Sequence, residues 1–202
     1  MWPWEHVLFA YVFYSVYVHV RYRRSPNELP VVALAFGSLL PDLVDKPLAW
    51  QFGVFESGYA LAHSVFVAVP VSVAVLLYAR RRGHAAAGAA FGVGYLLHLV
   101  GDVIPASLSR GAVDLTPMLW PIAGEPRAAD RASESFLEGV STLLVDYGTQ
   151  LATLEPTPVL LLQIGSVVLG LALWAYDGFP GPRLVVAWFG RIRPDERTDS
   201  PR

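Results

Sequence analysis

The sequence has no cysteine, one lysine and little charge of either sign. Without cysteine there is neither a disulfide nor a thiolate metal site, so any metal must be held by His, Asp or Glu. Charged residues make up 16% of the chain and hydrophobic ones 54%, whereas a soluble domain is nearer a quarter charged. That deficit excludes an ordinary water-soluble globule. Lys46 apart, every basic residue is Arg, and the arginines fall in short clusters: Arg21-Tyr22-Arg23-Arg24, Arg80-Arg81-Arg82, and Arg183, Arg191, Arg193, Arg197 and Arg202 near the C-terminus. These clusters lie at the ends of apolar stretches, where lipid headgroups and topology account for them. No nucleic-acid surface is indicated.

What the chain does have is apolar runs near the roughly 20 residues that cross a bilayer. They cover about 4–20, a short 30–43, 60–79, 85–104 and 158–176. The expected fold is all-α, a polytopic membrane helix bundle of about five spans in a single integral membrane domain, 1–190, with a disordered cytoplasmic tail over 191–202. The run at 85–104 is rich in Gly and Ala. Small residues let membrane helices approach closely, so this span is expected at the centre of the bundle. The acidic Glu5 stands at the very start of the first run and the arginines follow the run, the reverse of a cleavable signal.

A loop, 105–156, joins the last two runs. Its first part is rich in Pro and Gly and reads as irregular to about 126. From about 128 to 154, Phe136, Leu137, Val140, Leu143, Leu144, Tyr147 and Leu151 recur at helical spacing, which predicts an amphipathic helix lying at the membrane interface. Basic clusters favour the cytoplasmic side. Five spans with the N-terminus outside put all three Arg clusters inside and the acidic loop outside.

On that topology His6, Asp42, Asp45, His63, His98 and Asp102 come to one level near the outer face. His98 and Asp102 are four apart and share a helix face. Asp42 and Asp45 are three apart, at a helix end made irregular by Pro41 and Pro47. Any one of these residues alone reads as a solvated interfacial group. Together, with no Lys or Arg opposing them within the spans, they form a group of acids that a divalent cation would neutralise. Oxygen with imidazole suits Zn, Mn or Fe better than Ca. His19 and His84 lie beside Arg clusters and read as interfacial.

The order Leu39-Leu40-Pro41-Asp42-Leu43-Val44-Asp45, His63-Ser64, His98-Leu99-Val100-Gly101-Asp102 and Leu119-Trp120-Pro121 resembles the YdjM-like family of membrane-bound metal-dependent hydrolases, from His6 to about Gly124. The same ligand order is more distantly similar to one zinc site of the zinc-dependent phospholipase C and P1 nuclease superfamily. That second resemblance implies Asp42 or Asp45, His63, His98 and Asp102 as core ligands. Two features depart from it. His98 is the last His, and Trp2, where those enzymes have a processed N-terminal Trp, follows Met1. A single-metal site, or an incomplete second one using His6, is therefore expected.

The leading functional reading is a membrane-embedded metal-dependent hydrolase, phosphoesterase-like, acting on a lipid or lipid-linked phosphoester at the outer headgroup level. In this reading Asp45 is the general base and Arg110 a phosphate clamp. The competing readings are a metal-stabilised structural or regulatory membrane protein and, less favoured, an ion or proton transporter. Membrane lipids are the expected partners.

Overall fold

The computed structural model describes residues 1–124, 135–153 and 156–192. Among these there are seven α-helices and no strand: α1 Pro3–Tyr22, α2 Glu28–Trp50, α3 Val65–Arg81, α4 Ala85–Arg110, α5 Phe136–Thr153, α6 Pro158–Tyr176 and α7 Pro182–Ile192. A 3-10 turn, Thr116–Met118, follows α4.

Helix α4 occupies the centre and packs on α1, α2, α3 and α6. Glycine makes the closest of these contacts possible. A Cβ at Gly37 of α2 would sit 2.2 Å from the Phe91 carbonyl oxygen of α4, and one at Gly94 of α4 would sit 2.2 Å from the Leu34 carbonyl oxygen of α2. The two backbones therefore touch, as small residues allow in membrane bundles.

Charged and polar side chains share the interior with an apolar core, and large apolar side chains cover much of the outside. Phe13, Tyr17, Phe36, Leu43, Phe66, Leu77, Leu161 and Val168 face outward, whereas Glu5, His6, Asp42, Asp45, His63, His98 and Asp102 are buried. Water favours the opposite arrangement. Two helices, Ala85–Arg110 and Pro158–Tyr176, are long and apolar enough to cross a membrane.

Several element boundaries differ from the sequence reading. Helix α2 does not end near Leu43; it continues through Pro41 and Pro47 to Trp50. Proline removes one backbone donor and crowds one turn, and here the helix carries on past both. Helix α3 begins at Val65, so His63 lies in the turn before the helix. Helix α4 runs through Pro105 to Arg110, so the start of the expected irregular stretch is helical.

The amphipathic helix is present as α5; its expected start at 128–134 and its last residue, 154, lie outside the described residues. So do the Phe136, Leu143 and Leu151 side chains. The Tyr147 ring packs against Trp2 and Trp4, with centroids 5.1 and 6.0 Å away. Helix α7 forms where the sequence reading placed only the end of the membrane domain and its tail, and it packs on α2. The tail over 193–202 also lies outside the described residues.

Candidate metal centre

Four chain segments bring the site together: the first turns of α1, the middle of α2, the turn before α3 and the second half of α4. Gly101 lets the first and last of these meet, since a Cβ there would lie 2.9 Å from His6 Nδ1. The His6 and His98 rings then stack with centroids 3.8 Å apart.

His63 and His98 have their tautomers set by their neighbours. His63 Nδ1 is 2.8 Å from Asp45 Oδ2, and His98 Nδ1 is 2.6 Å from the Ser38 carbonyl oxygen. An ionised carboxylate and a carbonyl only accept, so both Nδ1 atoms donate, and in each neutral imidazole Nε2 carries a lone pair. These two Nε2 atoms lie 3.1 Å apart. Facing lone pairs repel unless a proton or another cation lies between them.

Carboxylate oxygens complete the surroundings. Asp102 Oδ2 is 3.3 Å from His98 Nε2 and 3.6 Å from His63 Nε2. Asp42 Oδ1 is 3.5 Å from His63 Nε2 and 3.8 Å from His98 Nε2. On the other side of Asp102, Oδ1 is 3.2 Å from both His6 Nε2 and the Met1 amino group. Two sets of three residues can each bring ligand atoms within 4.8 Å of one another: His6, His98 and Asp102, and Asp42, His63 and His98.

A metal fits these residues. Asp42 Oδ2, Asp102 Oδ2 and His6 Nδ1 are buried without a hydrogen-bond partner among the described residues. Such orphaned buried acceptors are rare and costly, and His with Asp is a suitable donor set for a borderline divalent ion.

Asp45 sits differently from the other acids. Its carboxylate accepts from the backbone N–H groups of Ala60, Ala62 and His63 and from the His63 ring. These bonds turn it toward the 60–63 turn, behind His63. Tyr95 holds the same turn by donating to the Ala62 carbonyl at 2.8 Å, and the Ser64 hydroxyl donates to the Trp120 carbonyl. The Leu119-Trp120-Pro121 motif therefore supports the His63 turn.

Arg110 lies about two helical turns past Asp102. It pairs with Asp114 at 3.0 Å and is largely exposed. The cation beside the cluster is Lys46, with Nζ 2.7 Å from Asp42 Oδ1. The sequence reading left the acids unopposed; the four-residue spacing from Asp42 to Lys46 was the signal that could have found this pair.

The fold and site thus define an all-helical protein with apolar spans and a buried His/Asp cluster. The match to the YdjM inner membrane protein family covers residues 1–179, and the chain belongs to that family. The match extends past Gly124 to take in α5 and α6, which the motif resemblance did not cover. No curated protein and no solved structure matches, and the likeness to phospholipase C and P1 nuclease rests on ligand order alone.

Proposed function

We propose that this chain is a membrane-embedded, metal-dependent hydrolase of lipid or lipid-linked phosphoesters. The observation that carries the reading is the pair of inward-facing His63 and His98 Nε2 atoms, 3.1 Å apart and ringed by Asp42 and Asp102 oxygens that lack full partnering. His63, His98, Asp42 and Asp102 would hold the ion, with His6 beside them, and Zn, Mn and Fe are the ions the donors suit. When bound, such an ion acts as a Lewis acid and makes water nucleophilic near neutral pH.

The chain's own groups then divide the work. Asp45, with its oxygens taken up by four donors, orients His63 as a carboxylate behind a ligating imidazole. It is poorly placed to act as the base. Asp42 Oδ2, buried and without a hydrogen-bond partner among the described residues, is the better proton acceptor. Water adds to phosphorus as its proton passes to Asp42. The ester P–O bond breaks, and the alcohol leaves with that proton.

Five helices, α1, α2, α3, α4 and α6, are read as spans because apolar side chains cover their outer surface. The Arg21–Arg24 cluster ends α1 and the Arg80–Arg82 cluster ends α3, whereas His6 and His63 lie at the starts of the same helices. By the positive-inside rule this arrangement supports a site at the extracytoplasmic headgroup level and a C-terminus in the cytoplasm. Helix α5 would lie along that face, tied by Tyr147 to Trp2 and Trp4.

The burial of every ligand favours a second reading, a closed metal site that only stabilises the fold. Turnover separates the two. Detergent-purified protein supplied with Zn or Mn should hydrolyse lipid phosphoesters, and Asp102→Ala should lose both turnover and metal. Metal binding without turnover across a broad phosphoester screen supports the structural reading. Turnover that survives Asp102→Ala contradicts both.

A further inference from the structure

We propose that Lys46 recognises the anionic phosphoryl oxygens of the substrate; this rests on the hydrolase reading above and assigns its substrate-binding cation. Lys46 stands one turn after Asp42 on α2, and its side chain is 14% exposed, so its ammonium sits at the edge of the cluster against Asp42. Its ammonium lies 5.9 Å from the centre of the Trp50 ring. Its stem passes Gly58, where a Cβ would come within 3.0 Å of Lys46 Cγ. Arg110, the other candidate clamp, already pairs with Asp114 away from the cluster.

One Asp42 oxygen faces both Lys46 and the two imidazoles. Asp42 Oδ1 is the Lys46 partner at 2.7 Å and is also the Asp42 atom that faces the Nε2 atoms of His63 and His98. A divalent cation held by those atoms competes with the ammonium for that oxygen, and two cations repel strongly in a low-dielectric pocket. Lys46 is then left as a partly buried charge without an exclusive counterion, which is costly. A lysine has a flexible stem and rotatable donors, so it can turn to a new anion. A phosphoryl oxygen next to the metal supplies that anion. A neutral ester or amide would leave the ammonium unpaired, so the site should favour anionic substrates.

The test uses the full chain in detergent, with metal content measured on every sample. Inorganic phosphate and a short-chain phosphatidic acid are titrated into Mn-supplied wild type, Lys46→Gln and Lys46→Arg, and binding is read from broadening of the phosphorus resonance. The wild type should bind, Lys46→Gln should bind at least tenfold more weakly with its metal retained, and Lys46→Arg should recover most of the affinity. Tighter binding of phosphatidic acid than of phosphate identifies a lipid source; equal binding identifies free phosphate. Lys46 is the only lysine, so a second measurement needs no variant. Phosphate added to the metal-bound wild type should slow acetylation of Lys46, followed by mass spectrometry. Equal phosphate affinity in Lys46→Gln, or acetylation unaffected by phosphate, overturns the proposal and leaves the metal reading standing. Failure of the wild type to take up metal overturns both.

Discussion

The two ends of α1 each bury carboxylate chemistry, and the ends differ in how completely it is satisfied. At the C-terminal end, Asp177 accepts hydrogen bonds from Tyr11 and Ser15, both at 2.6 Å, and lies 2.6 Å from His19 Nε2. Both of its oxygens are engaged, and the contact fastens the end of α6 to α1. At the N-terminal end, Asp42 Oδ2, Asp102 Oδ2 and His6 Nδ1 have no hydrogen-bond partner among the described residues, and the His63 and His98 Nε2 atoms face each other at 3.1 Å. The comparison teaches that a buried acid does not by itself indicate a ligand site. The Asp177 cluster is complete as it stands and acts as a clasp. The Asp42 and Asp102 cluster keeps unpartnered buried acceptors among the described residues and could hold a metal.

Predictions follow from that contrast. The largest effect is expected on removing both His63 and His98. The double Ala variant should lose bound metal entirely and lower turnover by at least 100-fold, measured by elemental analysis and a phosphoester assay on the same samples. Metal retained by the double variant would break the distinction between the two ends.

Asp177→Ala should do the opposite. It removes the acceptor for the buried Tyr11 and Ser15 hydroxyls and the half-buried His19 ring, which costs about 3 kcal/mol of stability, and it should leave metal content unchanged. Thermal unfolding in detergent reads the first effect and elemental analysis the second. Acid should act in the same direction. Burial alone would raise the Asp177 carboxyl, but the bonds from Ser15, Tyr11 and His19 outweigh it and hold the group below the ordinary carboxylate range. A lowered folded-state pKa gives stability that is complete above the unfolded value of about 3.9 and is lost as pH falls below it. The wild type should therefore lose thermal stability below about pH 4 by more than Asp177→Asn does.

Asp45→Asn sharpens the boundary of the site. An amide can still meet some of the Ala60, Ala62 and His63 donors, but it holds the His63 ring less firmly. Metal affinity should fall about 10- to 100-fold with the metal-free fold intact. Complete loss of turnover with full metal affinity would instead restore Asp45 as the base. The smallest effect is expected at Arg110. Arg110 is largely exposed in its pair with Asp114, and Arg110→Ala should change stability by less than about 0.5 kcal/mol and metal content not at all.

Much of the site was legible in the sequence, because two independent regularities agree. Apolar runs placed the helices, and His6, Asp42, Asp45, His63, His98 and Asp102 were expected at one level. The structure brings His6, Asp42, His63, His98 and Asp102 together, with Asp45 behind His63. What the sequence could not show depends on contacts distant along the chain. Asp42 and Asp45, three apart, appear equivalent until the 60–63 turn folds onto Asp45 and takes its oxygens. Pro41 and Pro47 signal a helix end by local rule, yet α2 continues through both. Helix α7 was hidden because its short apolar stripe lies between Pro180 and the polar tail, where the apolar runs had ended. The Asp177 clasp was missed because Asp177 sits just past a span, and only the fold shows that Tyr11, Ser15 and His19 face it.

The central claim is that the cluster holds one divalent ion through imidazole and carboxylate ligands. X-ray absorption spectroscopy on Zn-reconstituted protein tests it most directly. The expected result is about one Zn per chain with nitrogen and oxygen neighbours at about 2.0–2.2 Å, an imidazole scattering pattern from at least two histidines, and loss of that signal in Asp102→Ala. Zinc below a tenth of an equivalent, or a spectrum unchanged by Asp102→Ala, would contradict the account.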